Sequence, residues 1–250
     1  MPNLCFSRPR SRPADSRTDV RVALAAVVMV FSALLLVACV RGSLPAKELY
    51  RLRPASAAAT ATDGDATDGR APGAAVSLAV PLVVEPYVTS GIYGSPQLVY
   101  RVDDVRYGTY PNREWAVPLG SLLSALTVET LRREPATGGR VDDMTSPPPD
   151  DALVWRGIVR EFEEINRGKL VFAGVRLEAA LVRARDDSVL WRGDARVERP
   201  VVPPTLMSAV VDSLSSAATQ AVRQLARGAE PALRAAAAQL TQTPSLTTRP

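Results

Sequence analysis

Few residues of this chain could do chemistry, and one of them stands out by position. Cys39 closes the apolar run Val22–Ala38, and its thiol is a nucleophile that can take a covalent group. The other candidates are carboxylates: the trio Glu161, Glu163 and Glu164, the pairs Asp142-Asp143 and Asp150-Asp151, and the Asp/Gly run 63–70. Histidine is absent from all 250 residues, and Cys5 is the only other cysteine. Zinc sites use Cys or His almost without exception, and a Ser-His-Asp triad or a Cys-His pair needs an imidazole, so composition excludes those enzymes. A Ser-Lys mechanism would have to use Lys47 or Lys169, and neither sits in a recognisable motif. In a strand, Glu161 and Glu163 share a face while Glu164 points away; the trio reads as a solvated strand end. The Asp pairs flank a Pro loop and read as solvent-facing, and the 63–70 run lacks the spacing and terminal Glu of a calcium loop. No catalytic residue and no metal is expected.

What surrounds Cys39 gives it a role. Arg8, Arg10, Arg12, Arg17 and Arg21 precede the apolar run, and small Ala38 precedes the cysteine. This is the three-part layout of an export signal. Leu36-Val37-Ala38-Cys39 resembles the lipobox of bacterial lipoproteins. The resemblance implies cleavage between Ala38 and Cys39, a diacylglycerol on the Cys39 sulfur and an N-acyl group on its amine, with no other cofactor. Residues 22–40 are 19 uncharged positions, close to the ~20 that a spanning helix needs. The cysteine at the edge of the run favours the lipoprotein over an uncleaved anchor. On either reading the Arg-rich start stays in the cytoplasm and the body lies across the membrane. In enterobacterial lipoproteins Asp after the cysteine favours inner-membrane retention. Val40 there leans toward the outer membrane, with inner-membrane anchoring as the alternative.

The leader also explains the charge. Lys and Arg number 30 against 26 Asp and Glu, a net of +4, but residues 1–38 alone hold five Arg and two Asp. The remaining 212 positions carry about +1 and suffice for one domain. A basic nucleic-acid footprint is absent, and the lone mature cysteine allows no internal disulfide.

The elements follow from periodicity. Residues 39–52 hold the lipidated N-terminus and a short strand near Lys47–Leu52, and residues 53–75 lack large apolar residues and read as a flexible linker or insertion. The domain is expected over residues 76–228. Val76, Leu78, Val80, Leu82 and Val84 alternate as a strand whose Pro81 marks an edge or a bulge. Leu98–Val102 and Val105–Tyr110 form two short strands. Leu119, Leu122, Leu123, Leu126 and Thr130 make one helical stripe, and Glu134–Asp151 is a loop. Ala152–Ile165, Val171–Ala184 and Val189–Glu198 form an antiparallel meander with one apolar face. A second helix runs from Thr205 to Arg227 and stops at Gly228, and residues 229–250 are an expected disordered tail. Together these give an α+β fold: a two-layer sandwich, a mostly antiparallel sheet with two main amphipathic helices on one face.

The segments Tyr50-Arg51-Leu52, Glu85-Pro86-Tyr87, Leu98-Val99-Tyr100-Arg101, Arg113–Leu119 and Gly157–Phe162, in this order behind a lipobox, resemble the ABC-type transport auxiliary lipoproteins, the PqiC-like group. That resemblance implies a periplasmic, non-catalytic subunit that docks or tethers an MCE-domain protein with its ABC permease and ATPase, and it leaves a homo-oligomer open. Two alternatives stand beside it: a lipoprotein regulator of a cell-wall synthase, and a lipid-binding carrier. The candidate partner interface is Pro86, Tyr87, Ile92, Tyr93 and Arg101. For Tyr87 and Tyr93 the other reading is that the rings fold back onto the core, and for Arg101 that it is structural. Trp115 is expected in the core.

Overall fold

Alternation of apolar and polar residues over twelve or more positions builds the centre of this protein. The computed structural model describes residues 46–54, 81–103, 105–134 and 140–241, the last two by backbone only. In chain order the elements are β1 (Glu48–Tyr50), β2 (Leu82–Val84), β3 (Gln97–Arg101), β4 (Tyr107–Trp115), α1 (Leu119–Leu131), β5 (Val141–Asp143), β6 (Leu153–Arg167), β7 (Leu170–Arg183), β8 (Val189–Pro200) and α2 (Met207–Thr241). Strands β6, β7 and β8 pair antiparallel almost throughout. Ala173, Val175, Leu177, Ala179 and Leu181 of β7 are buried at every second residue.

The eight strands form one open sheet, mostly antiparallel by paired length, with short parallel pairings at its margins. One edge of β6 pairs with β7 along its length. The other is shared: Leu153–Trp155 pairs with β2, and Glu164-Ile165 pairs with β3. Val88 bridges the gap by pairing with Ile158. A bulge at Arg160 shifts the register between Val159 and Glu161. It moves the core-facing side chains of β6 from odd positions (Trp155, Val159) to even ones (Phe162).

Helices α1 and α2 cover one face of the sheet, completing the α+β sandwich. The stripe Val210, Val211, Leu214, Ala218, Ala221 and Leu225 of α2 is buried as its spacing requires. Helix α1 is buried more widely than its stripe: Ser124, Thr127 and Val128 are buried too, and only Ser121, Ala125 and Glu129 are exposed. It lies against α2 as well as against the sheet.

Three expectations need correction. The second helix does not stop at Gly228, but continues through Pro231 to Thr241. Its extension buries Ala229, Leu233, Ala236 and Ala237. Gly228 serves close approach: a Cβ there would lie 3.1 Å from the Trp191 ring. Pro81 marks no edge, since β2 runs between β5 and β6, and the Pro81 carbonyl accepts the Leu153 N–H at 2.9 Å. The loop Glu134–Asp151 contains a strand, β5, whose three residues are too short for a periodic signal. The expected positions 76–80 lie outside the described residues.

Candidate functional site

Tyr87 is the fixed point of the segment between β2 and β3. Its ring is 3% exposed, so it belongs to the core rather than to a partner surface. The hydroxyl accepts hydrogen bonds from Trp155 Nε1 at 3.1 Å and from Thr127 Oγ1 at 3.0 Å, joining β6 to α1. Its backbone N–H donates to the Gly120 carbonyl, and Val88 exchanges backbone bonds with Gly157 and Val159. Gly120 and Gly157 clear the space: a Cβ on either would collide with Tyr87. Burial pushes the phenol up from its ordinary range, so it stays protonated. Pro86 and Val88 on either side of Tyr87 are exposed, and Ile92 is half-buried in the turn Gly91–Gly94.

Arg101 and Tyr93 meet the acidic trio. Arg101 Nε lies 2.7 Å from Glu163 Oε1, with the guanidinium nearly buried and the carboxylate fully so. The Tyr93 hydroxyl donates to Glu163 Oε2. Arg101 is thus a structural residue, committed to an ion pair inside the fold, and Tyr93 is half-buried against it. Glu164 points the other way and accepts from Tyr110 at 2.9 Å and from Asn166 at 2.8 Å. Only Glu161 keeps the expected solvent-side role, 3.1 Å from Arg196. The solvated strand end is therefore corrected for Glu163 and Glu164. Pairing with β3 and the turn at Tyr93 close this end of β6 from water. The signal lay in complementarity: Arg101 and two tyrosines on neighbouring segments match two buried acids, which no single-strand pattern displays.

Burial raises the Glu163 carboxyl above its ordinary value, while Tyr93 and Arg101 pull it back. Burial and the neighbouring carboxylates hold the Tyr93 and Tyr110 phenols well above their usual range. The oxygens of both acids are engaged, so the cluster pins segments together. Among the described residues no group of three or more His, Cys, Asp or Glu is placed to hold a metal ion.

The face of β6–β8 away from the helices carries a ladder of ion pairs. Arg160 meets Glu178 at 2.7 Å, Arg176 meets Asp194 at 3.0 Å and Arg156 bridges Glu85 and Asp187. Between them runs an open groove of ≈640 Å³ over Ile158, Ala180 and Val189. Cys39 and Ala38 lie outside the described residues, as does the 53–75 linker beyond Pro54. Trp115 is in the core, edge-on to Phe162.

The pattern Tyr87–Gly120–Gly157 lies within a stretch that is recognised as a whole. A model of the family described as "ABC-type transport auxiliary lipoprotein component" matches residues 51–226. The chain belongs to this family. Among solved structures it is similar to a DUF330-family protein of Xanthomonas campestris, 24% identical with a TM-score of 0.52, covering 66% of this chain and 89% of that one. A second solved structure is 17% identical with a TM-score of 0.52, covering 73% and 97%. PelC of Paraburkholderia phytofirmans, solved as a dodecamer, is 14% identical with a TM-score of 0.38, covering 64% and 91%. No curated protein matches the chain. At these identities the likeness to the first two speaks for the fold. For an auxiliary lipoprotein component the features above make sense as a rigid module. Its loop is bolted down by Tyr87, and its ionisable groups are largely spent on internal pairs.

Proposed function

We propose that this chain is a lipid-anchored, non-catalytic auxiliary subunit of an MCE-type lipid transport system. In this reading it is held on the periplasmic face of the outer membrane through acylated Cys39. The carrying observation is the family match over residues 51–226 directly behind Leu36-Val37-Ala38-Cys39. The domain works by docking. Tyr87 holds its loop rigid, and Pro86, Val88 and Ile92 present apolar surface to the MCE partner without a folding cost at the moment of binding. Two experiments test this. Labelled palmitate should enter the wild-type chain and not Cys39→Ala, and the label should fractionate with the outer membrane. The MCE protein should co-purify with the wild type and be lost with Val88→Asp, a change at a position 60% exposed. An unlabelled wild type, or MCE binding indifferent to Val88→Asp, contradicts the anchor and the docking surface respectively.

A further inference from the structure

The exposed large apolar side chains are not scattered. Val102, Val105, Tyr107, Leu170, Val202 and Leu206 are 43% to 83% exposed, and they are six of the ten such residues among those described. The sheet register puts all six at one end. Strand β3 runs parallel to β6, with Arg101 opposite Ile165, so the β3–β4 turn lies beside the β6–β7 turn. Strand β8 ends with Pro200 opposite Phe172, and Val201 still bonds to Val171, so the link into α2 lies there too. Three neighbouring chain reversals thus each raise one or more apolar side chains at the same end of the sheet. Exposed apolar side chains gathered at one end of a fold in this way mark an interaction site.

The direction of the chain says what it meets. Strand β1 runs parallel to β4, with Glu48 opposite Arg113, so the N-terminal end of β1 faces the end where β4 begins, at Tyr107. Tyr107 is six residues before Arg113, roughly 20 Å along the strand. Cys39 is nine residues before Glu48, a reach of at most about 30 Å. The acyl group is therefore tied within reach of this end of the domain.

We propose that this end is a second, non-covalent membrane contact, whose occupant is the bilayer that receives the Cys39 acyl chains. It rests on the reading of Cys39 as acylated. Apolar side chains on protruding turns suit a soft, planar lipid interface, where Tyr107 sits with its ring among acyl chains and its hydroxyl among headgroups. Exposed Lys169 beside them suits lipid phosphates, while Arg106 is paired with Asp103 at 2.6 Å. The contact fixes the orientation of the domain, so that the β7–β8 turn, at the far end, points away from the membrane.

The mature chain makes the test clean, because its one cysteine carries the lipid. A cysteine placed at Val105, Leu170 or Val202 is then the only free thiol and takes an environment-sensitive dye. Each labelled full-length lipoprotein is reconstituted in vesicles of phosphatidylethanolamine and phosphatidylglycerol, with and without nitroxide-labelled lipid; Arg185→Cys in the far turn is the control. Flotation with the vesicles reports the anchor. Expected are flotation of all four and several-fold stronger quenching at 105, 170 and 202 than at 185. Flotation with equally weak quenching at every position overturns the membrane contact and leaves the anchor standing. The same outcome, with shielding of the turn labels only on adding a protein partner, assigns this end to that partner. Loss of flotation overturns the anchor and the contact together.

Discussion

Tyr87 does with one oxygen what would otherwise take two partners. Its hydroxyl satisfies two buried donors, Trp155 Nε1 and Thr127 Oγ1, on different elements. Tyr87→Phe keeps the ring and strands both, which costs about 1–3 kcal/mol for each buried group left unsatisfied. Gly157→Ala should be at least as harmful, since the new Cβ meets the ring itself. Urea denaturation checks both, and a Tyr87→Phe protein of wild-type stability would mean that water replaces the hydroxyl. The Arg101–Glu163 pair makes a sharper prediction. Removing one partner leaves a buried charge, at about 3–5 kcal/mol, whereas replacing both by apolar residues comes out near neutral. Arg101→Met should therefore be much worse than Arg101→Met with Glu163→Leu. The pH dependence has a definite sign. Glu163 holds its proton more tightly in the folded state than in the unfolded chain. Stability from this group therefore falls as pH rises from the ordinary carboxylate value through the raised folded one, and is level above it. Glu163→Gln should remove that slope, as read from denaturation midpoints across mildly acidic pH.

At the scale of elements, Gly228 shows where local propensity yields to packing. Glycine inside a helix costs about 1 kcal/mol against alanine, so Gly228→Ala would ordinarily stabilise α2. Here its Cβ would lie 3.1 Å from Trp191, which itself packs 5.8 Å from Trp155. We expect Gly228→Ala to lower the melting temperature in the wild type and to raise it in a Trp191→Leu background. A rise in both would free Gly228 of any packing role. The same residue explains why the end of α2 was hidden in the sequence. Gly228 reads as a stop, and only its packing against Trp191 and the burial of Ala229, Leu233, Ala236 and Ala237 beyond it show otherwise. The long strands were legible because β7 and much of β8 keep strict period two, and α2 because its stripe keeps 3.6. Strand β5 was not, because three residues carry no period and its pairing with β2 comes from distant sequence. The loop aromatics were visible as a group. Which ring turns inward depends on Gly120 and Gly157, whose missing side chains leave no local pattern.

For the whole molecule, the question is how a module with spent ionisable groups contributes to transport, and the physical answer lies in local concentration. On the proposed acylation, a chain fixed to a bilayer at Cys39 and entering its sheet at Glu48 confines the domain to a shell a few nanometres deep. Binding a membrane-bound partner then becomes an intramolecular event, whose effective concentration falls roughly as the −3/2 power of tether length beyond the optimum. Adding about 32 Gly/Ser residues between Cys39 and Lys47 lengthens an eight-residue tether about fivefold, which lowers that concentration roughly tenfold. The folded domain begins beyond the insertion and should keep its melting temperature. Outer-membrane fractionation should also be unchanged, because the acyl anchor remains. Transport, measured as restored resistance to detergent in a strain lacking the gene, should fall by about the same tenfold at low expression and recover at high expression. Cys39→Ala should lose both address and transport at any level. If the long tether works as well as the short one at low expression, proximity is not what the anchor supplies, and the acyl group serves as an address alone.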